Sequence, residues 1–330
     1  MRRTLLGLVA VLTLGGTTSC DRLHEDLEPC PQGLRLRFVY DYNMEFANAF
    51  PSQVDCLTVL FYDGNGKFVA KETKQGGELA DENWRMTVDL PAGDYDILAY
   101  GGMECSMTDF HFVTEPEATS YTDIKVELNN ACRDVDPGKN LHPLFYGNLS
   151  ASVSDDDTDY REATVKMMRD THNVRILLQQ TTPDVDIDVN AFTFRIIDNN
   201  TLFAYNNDII PQQEVNYYPW TKGNSSVGSL PDGDKASVAY AEISFPRLIA
   251  GNPSRLLIER KSDGMPVIDI PLNNYLLLLK SQQFSEMGGQ EYLDRETRWN
   301  MIFFLDRDQE WIKTQIVIND WVVRINDIEM

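Results

Sequence analysis

Leu57-Thr58-Val59-Leu60-Phe61-Tyr62-Asp63-Gly64-Asn65-Gly66 is the stretch that decides the fold class. Leu57, Val59 and Phe61 alternate with their neighbours, the period of a strand that lays one face on a core. Asp63-Gly64-Asn65-Gly66 then supplies a tight hairpin signal. The same grammar recurs on both sides. Leu34, Leu36 and Phe38 alternate before it; Trp84, Met86, Val88 and Leu90, then Tyr95, Ile97 and Ala99, alternate after it, separated by Pro91-Ala92-Gly93-Asp94. Ile124, Val126 and Leu128 follow. Short strands with turn signals at these intervals read as a β-sandwich.

The second half repeats the style. Val165 and Met167, Val174 to Leu178, Phe192 to Ile196, Ala239 to Phe245 and Leu256 to Ile258 read as strands, as do Val267 to Ile270, Met301 to Leu305 and Ile316 to Val323. Residues 206–238 read as a long polar loop, and Tyr275 to Phe284 as the one substantial helix, since its leucines favour helices and no β-branched residue intervenes. Ser152 to Asp159, rich in acids and hydroxyls, reads as a linker or hairpin tip. Calcium is the sharper alternative there, but the glycine and terminal glutamate of an EF-hand loop are missing. The expectation is an all-β chain of two β-sandwich domains, residues 32–160 and 161–330, with few short helices.

The N-terminus carries the address. Arg2 and Arg3 precede a short apolar run from Leu5 to Leu14, then small residues and Cys20. This is the layout of an export signal over residues 1–19, too short to span a bilayer. Ser19-Cys20 at its end reads as a lipoprotein cleavage site, although Thr17 stands where a leucine is usual. The alternative is a secreted protein with an unmodified Cys20. With lipid on Cys20, residues 20–31 become a tether and the acyl chains hold the protein on a membrane.

The chain has 29 Lys and Arg against 51 Asp and Glu, net −22, and loss of Arg2 and Arg3 with the leader takes it to −24. Binding to nucleic acid through phosphate attraction is excluded, and charge-driven binding to anionic lipid is disfavoured. Apart from Cys20 the cysteines are Cys30, Cys56, Cys105 and Cys132. Export permits disulfides and four cysteines allow three pairings, with free buried thiols as the alternative. No C-x-x-C spacing occurs, which argues against zinc. His24, His111, His142 and His172 show no metal-ligand spacing, and no nucleophile, phosphate-loop or dinucleotide motif is present. No cofactor and no catalytic residue is expected. Trp84, Tyr217, Tyr218 and Trp220 are the aromatics that could form a glycan platform or simply pack.

The order of the longer segments carries a resemblance. Cys30-Pro31, Leu34 to Met44, Phe61 to Gly66, Met86 to Tyr95 and Ala99 to Gly102 come first. Pro143 to Gly147, Arg169 to Val174, Gln290 to Arg295 and Ile318 to Arg324 follow. Together, behind a lipoprotein signal, they resemble the FimB-type fimbrium anchor-subunit lipoproteins of the Bacteroides group. The resemblance covers Cys20 to Arg324; Cys56, Cys105 and Cys132 are not part of its pattern. It implies two sandwich domains of transthyretin-like topology and attachment to the outer membrane at the cell surface through the lipid on Cys20. It also implies a role at the base of a fimbrium, in strand-mediated contact with a stalk subunit (fimbrillin) and limiting fimbrial length. The alternative function is a surface glycan-binding lipoprotein.

Overall fold

The computed structural model describes residues 32–182, 185–227, 236–278, 280, 284–319 and 321–324. The export signal, Cys20, the tether and Cys30 lie outside the described residues.

The strands are β1 (Gly33–Val39), β2 (Cys56–Asp63), β3 (Phe68–Gln75), β4 (Met86–Asp89), β5 (Gly93–Gly101), β6 (Phe110–Phe112) and β7 (Lys125–Leu128). They continue with β8 (Phe145–Val153), β9 (Arg161–Arg169), β10 (Thr171–Gln180), β11 (Phe192–Asp198), β12 (Leu202–Ala204), β13 (Val215–Tyr217) and β14 (Thr221–Val227). The last are β15 (Ala236–Pro246), β16 (Arg255–Arg260), β17 (Pro266–Pro271), β18 (Arg298–Leu305), β19 (Trp311–Ile318) and β20 (Trp321–Arg324). Short α-helices occur at α1 (Phe50–Gln53), α2 (Leu272–Leu277) and α3 (Gly289–Arg295). The chain is all-β, as its alternation predicts.

The first sheet has the order β3-β2-β5-β8-β9-β1-β4. It folds over on itself, because Leu57, Val59 and Ile97 from one end share a core with Leu36, Met86 and Val165 from the other. Strands so far apart in one ladder meet only if the sheet bends into two layers. In the second half, β14-β15-β10-β18-β19-β20 faces β13-β11-β16-β17. Ile176, Ile243 and Met301 from the first of these pack against Phe194, Ile258 and Ile270 from the second.

A small sheet, β12-β7-β6, joins the halves: β7 pairs with β12 from Leu202↔Glu127 to Ala204↔Lys125. It covers Leu60, Tyr62, Leu98 and Tyr100 on the outer face of β2 and β5. So β2 is buried on both faces, where its sequence suggested one. The alternation of Leu57, Val59 and Phe61 marks the inner face only. Leu60 and Tyr62, the positions between, are roofed by elements distant in sequence.

Four other expectations change. The boundary expected near residue 160 falls in the turn between β8 and β9. β9 pairs with β8 and β1, so the first sheet runs on to Arg169 and passes to β10 at Asp170. The acidic run is a hairpin tip, held by Ser154 N donating to Asp157 Oδ2 at 2.8 Å and by the Arg35–Asp159 pair at 3.6 Å. Residues 206–238 hold β13, β14 and the start of β15. β14 (Thr-Lys-Gly-Asn-Ser-Ser-Val) has no alternation to read, because an edge strand needs only backbone pairing, here with β15. The helix begins earlier than expected, at Leu272, and is described over Leu272–Leu277, while residues 279 and 281–283 of the expected span lie outside the described residues; Asn273 fixes its start by donating to Ile249 O at 2.7 Å. Finally, Ile316 to Val323 divides into β19 and β20 around Asn319, whose φ of 45° turns the chain.

Candidate functional site

Four of the segments that carried the resemblance, Leu34 to Met44, Pro143 to Gly147, Arg169 to Val174 and Gln290 to Arg295, meet where β9 passes into β10. Asp170 sits in that one-residue junction and is fully buried. Its N–H donates to Leu144 O and its carbonyl accepts from Arg247 N, both at 2.8 Å. Its Oδ1 accepts from Asn207 Nδ2 at 2.9 Å, while Oδ2 has no hydrogen-bond partner among the described residues. Burial pushes this carboxyl up to about 7, against the opposing charge of Arg247. Beside it, burial and the charges of Arg169 and Arg247 pull His172 down to about 3, so it stays neutral. Its ring stacks on Phe245 at 5.8 Å.

α3 closes the junction. Arg247 grips Asp294 with two hydrogen bonds, Nε to Oδ1 at 2.7 Å and Nη2 to Oδ2 at 2.9 Å. Gln290 Nε2 donates to the same Oδ1 at 2.8 Å and to Leu248 O at 2.9 Å. One residue on, Arg295 reaches the first half: its guanidinium lies 4.1 Å from the centre of the Tyr42 ring and 4.6 Å from that of Phe46. Such contacts contribute about 0.5–2 kcal/mol each. Arg169 crosses the other way, donating to Gln53 Oε1 at 3.4 Å and to Thr171 Oγ1 at 3.1 Å. The Arg247–Asp294 pair and the Arg295 contacts tie α3 to both halves, so the cluster can hold two sheets at a fixed angle. Among the described residues it offers no nucleophile–base pair, and no group of acids, histidines and cysteines is arranged to hold a metal. No described helix is long and apolar enough to cross a membrane.

The residues singled out from sequence do not assemble. Cys56 and Cys105 are joined, with Cα atoms 6.1 Å apart. Cys132 is a buried free thiol that burial and the Asp109 charge push up to about 12. His111 bonds Asn129 at 2.7 Å and His142 lies 3.2 Å from Asp55, each apart from the other. Tyr217 is buried and donates to Asn200 Oδ1 at 2.7 Å, and Trp84 stacks on Phe38 at 6.0 Å. These aromatics pack rather than form an open platform. Sequence reading missed the Arg247–Asp294 clamp, since nothing in a lone Arg247 or in the Gln290 to Arg295 run names its partner.

A model of the fimbrillin-A associated anchor proteins Mfa1 and Mfa2 matches residues 27–327. The solved structure of a candidate adhesin from Bacteroides thetaiotaomicron is 48% identical, with a TM-score of 0.86, over 91% of this chain and 100% of that one. A candidate polysaccharide-binding protein from the same species is 30% identical, with a TM-score of 0.74, over 89% of this chain and 98% of its own. The minor fimbrium anchoring subunit Mfa2 of Porphyromonas gingivalis is 20% identical across 100% of this chain and 98% of its own length. The matched family is one of fimbrial structural proteins and not of enzymes. With a match across nearly all of its sequence, and an all-β fold like that of its relatives, the chain belongs to the family of fimbrillin-A associated anchor proteins Mfa1 and Mfa2.

Proposed function

We infer that this chain is an outer-membrane lipoprotein, acylated at Cys20, that holds the base of a fimbrium at the cell surface by binding a stalk subunit. The observation that carries this reading is the path from tether to far sheet. The tether leads straight into β1, which is paired on both flanks: with β9 from Leu34↔Arg161 to Val39↔Lys166, and with β4 from Gly33↔Asp89 to Leu36↔Met86. A pull along the strand loads both ladders in shear, so their hydrogen bonds resist together. The load passes through β9 and the buried Asp170 to β10, an interior strand between β15 and β18. A tethered load-bearer needs such a path; a diffusible binder or an enzyme does not.

The chain acts by binding, with no catalytic residue and no cofactor. The glycan-binding alternative draws support from one relative's description, but the buried Tyr217 and the stacked Trp84 speak against an aromatic platform here. Electron microscopy of cells lacking the gene tests the reading. Fimbriae should still assemble, be shed into the medium and exceed normal length, because the terminating base is missing. Fimbriae of normal length with none shed would move the glycan reading ahead.

A further inference from the structure

One guanidinium serves two buried carboxyls at the joint between the sheets. Arg247 faces Asp170 as a charge but places its hydrogen bonds elsewhere. Two go to Asp294, and one goes from Nη1 to Asn207 O at 2.8 Å. Asn207 has a φ of 67°, in the left-handed region, and is gripped at both ends: its carbonyl accepts from Arg247 and its Nδ2 donates to Asp170 Oδ1. The Asp170 side chain has that one hydrogen bond among the described residues. Other titratable groups face it from every element packed around it. Tyr40 after β1, Tyr100 on β5 and Tyr146 on β8 are phenols that burial raises, so they stay neutral well past neutral pH. On β10, His172 is held neutral; on β9, Arg169 is lowered by burial to about 10 and keeps its charge. Past the end of α3, Glu296 is also raised by burial and acts on Tyr40 as Asp170 does.

We propose that Asp170 is a proton-operated latch on the joint between the two sheets: holding its proton it keeps the joint closed, and losing it lets the joint open. The latch goes beyond the anchor reading and stands without it. A neutral Asp170 is held by Asn207 and leaves Arg247 to Asp294. An ionised Asp170 is a buried charge with one side-chain hydrogen bond, and a charge so placed either gains a partner or reaches water. Both routes loosen the joint. Arg247 can turn to Oδ2 only by giving up part of its grip on Asp294. α3 then loses the clamp that sets Arg295 against the first half, where Arg295 Nη1 also donates to Asp41 O and Asn43 O, both at 3.4 Å. Water reaches Oδ2 only when the elements packed over it part. The device sits where motion would matter most, because β9 ends at Arg169, β10 begins at Thr171, and Asp170 alone joins them.

Amide hydrogen exchange on the purified full chain tests the latch, read as protection so that the intrinsic pH dependence divides out. The closed carboxyl lies at about 7 and an opened one at its ordinary value of about 4. Opening that releases this proton becomes up to about ten-fold more frequent per pH unit below 7 and levels off above it. Protection should fall with that slope at Asp170 and Arg247, whose N–H groups bond Leu144 O and Asp170 O, and at Tyr292 and Glu296, whose N–H groups bond within and just past α3. Strands that exchange only on global unfolding expose His172 as well, and its opposing slope offsets that of Asp170 below about pH 6.5. Protection in β2 and β18 should therefore stay flat between pH 5 and 6.5. Asp170→Asn keeps an acceptor for Asn207 and should remove the slope at the joint, while Glu296→Gln should leave it. A slope that survives Asp170→Asn, or that Glu296→Gln removes instead, overturns the latch. A slope shared equally by β2 and β18 marks global unfolding and overturns it as well.

Discussion

Asp170 and His172 lie two positions apart, and burial shifts them in opposite directions. The folded Asp170 carboxyl, at about 7, holds its proton more tightly than an unfolded one, so its contribution to stability falls as pH rises from about 4 to 7. The folded His172, at about 3, refuses a proton that the unfolded residue accepts below about 6.5, so its contribution falls as pH drops through that window. Between pH 4 and 6.5 the two slopes oppose. Asp170→Asn should raise stability at pH 8 and, relative to the parent, leave a curve that climbs with pH across the window. His172→Gln should give the reverse slope. Urea unfolding at several pH values reads both, and parallel curves for all three proteins would contradict the assignment. The Arg247–Asp294 clamp gives a second test. Asp294→Ala strands a buried guanidinium and should cost about 3–5 kcal/mol, whereas replacing both residues by apolar ones of similar volume should cost far less.

At the scale of elements, two connections fix how loops meet strands. Cys56, at the start of β2, is joined to Cys105 in the loop after β5. This bond should form in the exported protein and stabilise it by about 2–4 kcal/mol. Alkylation without reductant should then leave both cysteines unmodified and mark Cys132 only after unfolding; modification of all three in folded protein would contradict it. Gly102 turns the chain just after β5 with φ of +83°, and a Cβ there would lie 2.1 Å from Pro143 O. Gly102→Ala should therefore cost about 1–3 kcal/mol, measured by thermal unfolding.

This is also where the sequence is most and least legible. Strands with one wet face, such as β1 and β4, declare themselves by alternation. β14 does not, because its place depends on β15 and its own side chains are mostly exposed. The β8–β9 tip reads as a linker because acids and serines suit either. α2 starts where Asn273 finds two loop carbonyls, a tertiary fact that helix propensity cannot supply. The junction was half visible: the Arg169 to Val174 and Gln290 to Arg295 runs carried the resemblance, but not the contact between them through Arg247.

The whole molecule reads as a tension element. Lipid on Cys20 would pull on β1, β1 on β9, β9 through Asp170 on β10, and α3 braces the joint with Arg295 against Tyr42 and Phe46. The net charge of −22 has little part in this, since screening over about 8 Å at physiological salt leaves contact chemistry to decide partners. The central claim is that the chain ties a fimbrium to the membrane through that single cysteine. The most direct measurement is the partition of chain and fimbriae between cells and medium in a strain carrying Cys20→Ala. The account predicts that both move into the medium together, still bound to each other. A Cys20→Ala chain that stays wholly in the membrane fraction, with its fimbriae attached to cells, would contradict it.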